Sequence, residues 1–342
     1  MPEYGEQSPP SPPPTDDPSS VWSTWVQPVE WIDPHRERRF RDEVRDLLWP
    51  VLGLRKGGTA VDVGCGGGAL TRALARWMGP RSTVYGIERD VNFIAYARRR
   101  AREERFGRRV RYLVGDALGL PLPDNAADAV TSYTVIEHVP DTKRFLSEKI
   151  RVCRPGGRVS VMEVRPEGAM ASSPKRSANP SRREKELWRP LEEAHRRHIH
   201  DPWKVGATAT GLAQVPALLE DLGLVDIMLE AFASVNTVED ARVDGDWAKR
   251  YLTAQEQWLL TSVERSSSLL RRLLPAGHLP ALRRCIRSRF QKQRRWLEAG
   301  IRTWDFSVSV SWVVSGRVPV REPGVGPSGA RPNSARRGDR GR

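Results

Sequence analysis

Cysteine is scarce in this 342-residue chain, which contains only Cys65, Cys153 and Cys285, and these lie far apart without the close spacing of metal ligands. This scarcity argues against a disulfide framework and a cysteine zinc site, and it suits a reducing compartment. The sequence also lacks an apolar run of about 20 residues, the length that a membrane-spanning helix requires. Its acidic, proline-rich beginning does not resemble a signal peptide. We therefore expect a cytoplasmic protein without a membrane span.

Lysine is scarce as well: 8 lysines stand against 48 arginines, and the formal net charge is +14. GC-rich coding produces an arginine bias of this kind without selection for a polyanionic partner. The charge is also uneven, because the last twelve residues hold five arginines and one aspartate, whereas the first fifty hold ten acids and five arginines. No RNA-binding module is visible, so the positive charge by itself does not predict a nucleic-acid partner.

Glycine is concentrated at one informative place, residues 59–68, which read Thr-Ala-Val-Asp-Val-Gly-Cys-Gly-Gly-Gly. A short apolar strand carrying Asp62 breaks into glycines and restarts as a helix near Ala69. Glycine allows such a tight turn and lets backbone N–H groups approach a ligand. A second strand ends in Glu88, twenty residues after Gly68. An acid at that position can accept hydrogen bonds from ribose hydroxyls.

Strands and helices alternate along the rest of the chain. Further strands are predicted at 83–87, 110–115, 127–133, 158–164, 225–232 and 303–314. Helices are predicted at 34–49, 92–105, 142–153, 183–198, 214–222 and within 240–300. This alternation predicts an α/β fold with a doubly wound, mostly parallel seven-stranded sheet and a helical insert between strands six and seven.

Several motifs occur in an order that resembles a known family. They are Val61-Asp62-Val63-Gly64-Cys65-Gly66-Gly67-Gly68, Glu88, Gly115-Asp116-Ala117, Leu122-Pro123 with Asp128, Glu137-His138-Val139 and Arg154-Pro155-Gly156-Gly157. Together they resemble the class I S-adenosylmethionine (SAM)-dependent methyltransferases, and most closely the branch that contains the ubiquinone and menaquinone C-methyltransferases. The resemblance covers about residues 45–165, and a weaker resemblance covers residues 206–232. It implies a Rossmann-like fold, SAM as the cofactor and no metal.

The resemblance also implies a set of cofactor contacts. In it, the glycines cradle the methionine part of SAM, Glu88 binds the ribose and Asp116 contacts the adenine. Asp62 is either a direct ligand contact or a residue that orients the loop, and Cys65 is expected to fill the turn rather than act as a nucleophile. The full expected set is Asp62, Gly64, Cys65, Gly66, Gly68, Glu88, Arg89, Asp116, Ala117 and Tyr133.

A nicotinamide dehydrogenase is the rival interpretation of the glycine loop, because Gly64-x-Gly66-x-x-Ala69 also fits the loose dinucleotide pattern. An acid within the first strand, Asp62, suits the cationic amino-acid moiety of SAM. The Gly-Asp-Ala sequence after the third strand suits an adenine amino group. Both features favour a methyltransferase.

The predicted catalytic residues are Tyr133, Glu137 and His138, with Glu163 nearby. The sulfonium of SAM already activates its methyl group, so the protein needs chiefly to align the acceptor for in-line displacement and to exclude water. In this fold the acceptor lies beyond the carboxyl ends of strands four and five. His138 is either a general base or a helix-start residue bonded to the scaffold.

Residues 240–300 are the main departure from a minimal domain of this kind. An apolar stripe recurs there at steps of three and four residues, apart from one skipped turn at Gln293, with arginines on the other faces. The stripe comprises Leu279, Leu282, Ile286, Phe290, Leu297 and Ile301. It predicts a helix packed on the sheet, with a cap over the substrate or a homodimer contact as alternatives. We expect a small-molecule acceptor; the alternative is RNA or protein docked on the arginine-rich insert.

The predicted organisation has seven parts: a disordered proline-rich tail (1–20), an N-terminal arm and helix (21–55), the SAM-binding half (56–165), a cap segment with a helix and strand six (166–239), the helical insert (240–300), strand seven (301–320) and a disordered arginine-rich tail (321–342). A group of tryptophans and a group of histidines with an aspartate each have more than one possible role. Trp22, Trp25 and Trp31 either form a lid or dock the arm, and His195, His198, His200 and Asp201 form a metal site, a substrate contact or a surface.

Overall fold

The computed structural model describes Ser23 and residues 29–171, 180–198, 212–265 and 274–320, with the backbone alone at 165–171, 191–198 and 265. The two predicted tails, Trp22, Trp25, His200 and Asp201 lie outside these ranges, as do the side chains of His195 and His198.

Seven strands form a single sheet in the order β3-β2-β1-β4-β5-β7-β6. They are β1 Thr59–Val63, β2 Thr83–Glu88, β3 Val110–Val114, β4 Ala127–Ser132, β5 Cys153–Ala171, β6 Val225–Asn236 and β7 Phe306–Arg317. Strands β1 to β5 pair in parallel, and β7 is antiparallel to both β5 and β6. The predicted fold class is confirmed.

Nine helices are described around this sheet. They are α1 Val29–Arg39, α2 Arg45–Val51, α3 Ala69–Met78, α4 Val91–Glu103, α5 Thr142–Val152, α6 Arg182–His198, α7 Val215–Asp221, α8 Gly245–Arg265 and α9 His278–Glu298. Helices α8 and α9 both fall between β6 and β7 in the chain. None of the helices in the described ranges has the length and apolarity to cross a bilayer.

The side chains of successive strand residues point to opposite faces of the sheet, so a strand can contribute to an apolar core on each face. Ala60 and Met162 join one apolar cluster, with residues of α2, α3 and α4. Val61 and Val161, their neighbours in the chain, join a second cluster with residues of α5 and α7. Burial on both faces explains why the parallel strands read as short continuous apolar runs.

The predicted single helix at 34–49 is wrong. Helix α1 begins earlier and ends at Arg39, Arg41 is extended with φ −68° and ψ 161°, and a 3₁₀ turn at Asp42–Val44 leads into α2. Phe40 and Leu48, which lie on either side of the break, are both fully buried in the same core cluster.

Strand β5 runs past the predicted domain boundary at residue 165, because β7 continues to pair with it as far as Ala171. At its other end β5 is also longer than predicted. Gly156 N–H donates to Val318 O (2.8 Å) and Val318 N–H donates to Gly157 O (2.9 Å), which ties the Arg154–Gly157 turn to the chain after β7.

The insert packs on α1. The indole Nε1 of Trp247 in α8 donates to Pro34 O (3.0 Å), and Arg250 pairs with Glu37 (2.9 Å). The predicted stripe of α9 is buried from Leu279 to Phe290, in a cluster shared with α8. The insert therefore supports a helix whose residues Val29, Asp33 and Arg36 lie against the glycine loop.

Candidate functional site

The edge of the sheet between β1 and β4 is where ligands bind in folds of this kind. The chain proceeds from β1 outward to β3 and then returns to place β4 on the other side of β1. Connections that diverge from neighbouring strands leave a crevice beyond their carboxyl ends. Gly64, Glu88, Asp116 and Tyr133 end or follow four adjacent strands, so the structure brings these predicted residues to one edge.

The three predicted glycines adopt left-handed backbone conformations, with φ of 69° at Gly64, 53° at Gly66 and 82° at Gly68. Side chains are strained there, and neighbouring groups leave no room for them. A Cβ on Gly64 would lie 2.5 Å from Val135 Cγ2, and one on Gly66 would lie 2.8 Å from the guanidinium of Arg36. Close approach therefore requires glycine at both positions.

The loop amides are already used within the protein. Gly64 N–H and Cys65 N–H both donate to Ile87 O (2.7 and 3.0 Å), and Gly68 N–H donates to Cys65 O (2.9 Å). Gly66 N–H donates to the Glu88 carboxylate (3.1 Å). The idea that these amides point at a ligand is therefore not supported, and the glycines contribute shape and close approach instead.

Two buried acids hold the loop. Glu88 accepts from Gly66 N–H and, through its other oxygen, from Asp90 N–H (3.0 Å); burial raises the pKa of this carboxyl. Asp62 accepts from the Thr71 hydroxyl (2.7 Å), and burial raises the pKa of its carboxyl to about 6. The Thr71 contact ties β1 to the first turn of α3, which supports the loop-orienting role for Asp62.

The remaining predicted cofactor residues differ in exposure. Cys65 is buried, and burial raises the pKa of its thiol well above the usual value, which fits a filler and not a nucleophile. Arg89 is exposed, and Ala117 is half-buried. Asp116 is exposed, and its side chain accepts from Leu118 N–H (2.8 Å) to close the turn after β3.

The segment after β4 carries the predicted catalytic residues. Tyr133 is buried, with 3% of its surface exposed, whereas Glu137 and His138 are half-buried in a 3₁₀ turn. Thr134 has φ 55°, a conformation that a β-branched residue rarely adopts. It is held there because its N–H donates to Met162 O (2.9 Å) and its hydroxyl accepts from Arg36 (2.8 Å). Strain of this kind is concentrated at functional sites.

Glu163, on β5, underlies this turn. Its carboxyl accepts from the backbone N–H groups of Val135 and Ile136, and burial raises its pKa to about 8, with the charge of Glu137 adding to the shift. One oxygen, Oε1, is buried without a hydrogen-bond partner among the described residues. The raised pKa favours the protonated form of Glu163, and its hydrogen bonds to Val135 and Ile136 position the turn carrying Glu137 and His138.

Sequence reasoning missed two arginines of α1. Arg36 and Arg39 lie one helical turn apart, and their guanidinium carbons lie 5.5 and 5.6 Å from the centre of the Tyr133 ring. Neither has a carboxylate within 4.0 Å in the described part of the chain. Among 48 arginines, no sequence signal singles out these two.

A buried ionic cluster fixes α1 beside the loop. Arg72, 1% exposed, donates to Gly67 O (2.6 Å) and pairs with Asp33 (2.9 Å) and Glu37 (3.0 Å). Burial raises the pKa of Asp33 to about 6 against the opposing effect of Arg72. The cluster couples the N-terminal helix to the glycine loop itself.

A metal centre finds no support in the described ranges, where no group of three or more His, Cys, Asp or Glu residues is placed to hold an ion.

Comparisons with known proteins bear on this edge of the sheet. Residues 61–161 match a family model described as a methyltransferase domain. A demethylmenaquinone methyltransferase of Geobacillus sp. is 36% identical over 113 residues, which are 33% of this chain and 48% of that protein. A 2-phytyl-1,4-naphtoquinone methyltransferase of Nostoc punctiforme is 33% identical over 134 residues, 39% of this chain and 56% of that protein.

A solved structure of a putative methyltransferase from Bacillus halodurans is 18% identical, with a TM-score of 0.44, covering 81% of this chain and 100% of that one. The chain spans about half the length of the curated relatives it matches. The family match covers β1 to β5 and includes the glycine loop, Glu88, Asp116 and the turn after β4. Residues 61–161 therefore form a class I methyltransferase domain, whose cofactor is S-adenosylmethionine and whose matched relatives include quinone methyltransferases.

Proposed function

We propose that this chain transfers a methyl group from SAM to a small-molecule acceptor by in-line displacement. SAM supplies the methyl group in an activated sulfonium form, so the protein needs chiefly to bind, align and exclude water. The quinone methyltransferases among its relatives act on small molecules by name, and this favours a small acceptor here.

The observation that carries the proposal is the left-handed glycine loop at the end of β1, held by Glu88 at the end of β2. The two carboxylate oxygens of Glu88 accept hydrogen bonds from Gly66 N–H and Asp90 N–H. Each oxygen can accept a further hydrogen bond from a ribose hydroxyl. Asp116 stands at the end of the next strand, on the side expected for adenine.

Arg36 of α1, which lies next to the glycine loop, also supports a SAM site. Its guanidinium lies over Gly66 and donates to Thr134, and it has no acidic partner within 4.0 Å in the described ranges. The methionine part of SAM ends in a carboxylate, and a guanidinium matches a carboxylate in both charge and geometry. We assign Arg36 to this carboxylate.

Around the acceptor, the turn after β4 supplies Glu137 and His138, and either residue can take a proton if the acceptor starts protonated. Glu163 holds the turn through Val135 and Ile136. The alternative acceptors, RNA or protein, have less support, because two insert arginines, Arg283 and Arg294, pair with Glu264 and Glu256. RNA binding with a steep dependence on salt concentration would favour that alternative.

The test is calorimetric titration of the full chain with S-adenosylhomocysteine (SAH) and with NAD. We expect SAH binding, no NAD binding, and a loss of at least about tenfold in SAH affinity for Gly66→Ala. The matched control is Gly277→Ala: Gly277 is also left-handed (φ 82°), but a Cβ there meets nothing within 4 Å. Equal losses in both variants, or NAD binding in place of SAH, would refute the proposal.

A further inference from the structure

Strands β6 and β7 bury their polar face beneath α1. Four residues, here called the serine patch, are almost fully buried: Ser234 (0% exposed), Asn236 (7%), Ser309 (7%) and Ser311 (0%). On the opposite face Trp312 is 44% exposed and Leu229 is 62% exposed. An alternating strand ordinarily buries its apolar side, so the strands are inverted at this point.

The buried polar atoms of the patch are incompletely satisfied. Ser234 Oγ and Asn236 Oδ1 have no hydrogen-bond partner among the described residues, whereas the Ser311 hydroxyl contacts the Tyr133 hydroxyl. Each such group loses its hydration on burial without a hydrogen bond that compensates for the loss. Valine in place of serine would avoid that cost, so the pattern indicates that the hydroxyls serve a ligand.

Arg39 brings an unneutralised charge to the same patch. It is 8% exposed, and it donates to the Tyr133 hydroxyl and to Ser309 Oγ (2.9 Å). Its Nε is buried without a partner, and it has no acid within 4.0 Å in the described ranges. Arg38, its neighbour, has Asp240 as a partner. A buried charge without a counter-ion is costly, and an anionic ligand removes that cost.

We propose that Arg39, Tyr133 and Ser309 form a binding site for a carboxylate carried by the acceptor. This inference rests on the proposed methyl transfer and specifies the chemical class of its substrate. The Arg39 Nε–H has no partner among the described residues and can donate to the anion. The Ser309 hydroxyl accepts from Arg39 and so keeps its own proton for the same anion, while the Tyr133 hydroxyl, which also contacts Ser311, holds the guanidinium in place.

The placement agrees with this role. Tyr133 follows β4, whose carboxyl end faces the acceptor side, and Arg39 lies one turn of α1 beyond Arg36. The acceptor carboxylate would therefore lie one helical turn from the carboxylate of the cofactor. Arg39, Tyr133 and Ser309 are all buried, so a carboxylate bound there would be shielded from water, which strengthens its attraction to the guanidinium.

The probes are benzoate, salicylate and cinnamate, each compared with its primary amide, titrated calorimetrically into the full chain saturated with SAH. SAH occupies Arg36, so the response reports a second anion site. The variants are Arg39→Lys, Arg39→Gln and Ser309→Ala. The control is Arg284→Gln, which removes an exposed arginine of α9. Unchanged SAH affinity shows that each variant is folded.

We expect at least one carboxylate to bind at least about tenfold more tightly than its amide, and this preference to disappear in Arg39→Gln. Arg39→Lys keeps the positive charge but lacks the planar set of guanidinium donors, so it should retain part of the preference for the carboxylate over the amide. Arg284→Gln should retain all of this preference. If acids and amides bind alike, if no acid binds, or if Arg39→Gln keeps the preference, the carboxylate site is refuted. Failure to bind SAH refutes the methyl-transfer proposal instead.

Discussion

At the scale of single residues, Arg36 offers a test that separates the two ends of the cofactor. We predict that Arg36→Gln weakens SAH binding by at least about tenfold, because a charge-assisted hydrogen bond contributes about 1.5–3 kcal/mol. Binding of 5′-methylthioadenosine, which lacks the amino-acid part, should not change. The measurement is calorimetry of both ligands on wild type, Arg36→Gln and Arg81→Gln, the last being an exposed control. Equal losses for both ligands would contradict the assignment.

Glu163 makes a prediction about pH. Its pKa is raised to about 8, so the folded chain holds this proton more tightly than the unfolded chain does. Its contribution to stability is complete below the unfolded pKa of about 4.3 and is lost as the pH rises through 8. Relative to wild type, Glu163→Gln should gain up to about 1.4 kcal/mol per pH unit across that window.

The measurement for Glu163 is the free energy of unfolding in urea at pH 5, 7 and 8.5. Glu220→Gln, at an exposed position of α7, is the control and should follow the wild-type profile. Parallel profiles for wild type and Glu163→Gln would show that this carboxyl titrates normally.

At the scale of elements, the position of α1 depends on Arg72. Replacing Arg72 removes the ion-pair partner that lies 2.9 Å from the buried Asp33 and leaves that carboxyl only the Tyr96 hydroxyl and the more distant Arg100. Breaking a buried ion pair in this way costs about 3–5 kcal/mol. We predict a loss of this size for Arg72→Met in urea unfolding, together with weaker SAH binding. Arg99→Met is the control and should cost at most about 0.5 kcal/mol, because Arg99 is 55% exposed and pairs with Glu103 at 3.9 Å. A loss below about 1 kcal/mol for Arg72→Met would contradict this role.

The elements also show how far sequence reasoning reached. Short apolar runs bounded by glycine turns, together with the alternation in β7, predicted the seven strands, because these signals are local. The break at Arg41 was missed, since no glycine or proline marks it in the sequence. The inverted face of β7 was also missed, because a Ser-Val alternation is the same whichever side faces the protein.

At the scale of the whole molecule, the predicted site residues and the missed ones come from different parts of the fold. Gly64, Glu88 and Asp116 follow strand ends, whose positions are readable from the chain. Arg36 and Arg39 come from a helix outside the matched domain, and tertiary packing through Trp247 and Arg72 places them. The part of the candidate site at the strand ends was therefore predictable from the sequence, and the part that the packing of α1 brings to it was not.

The most direct test of the central claim is amide hydrogen exchange of the full chain, free and with saturating SAH, followed by mass spectrometry. If the edge between β1 and β4 binds the cofactor together with α1, protection should rise at residues 64–68, 86–90 and 29–39, while NAD leaves exchange unchanged. The claim is contradicted if SAH leaves 64–68 and 29–39 unprotected, or if NAD produces the same pattern.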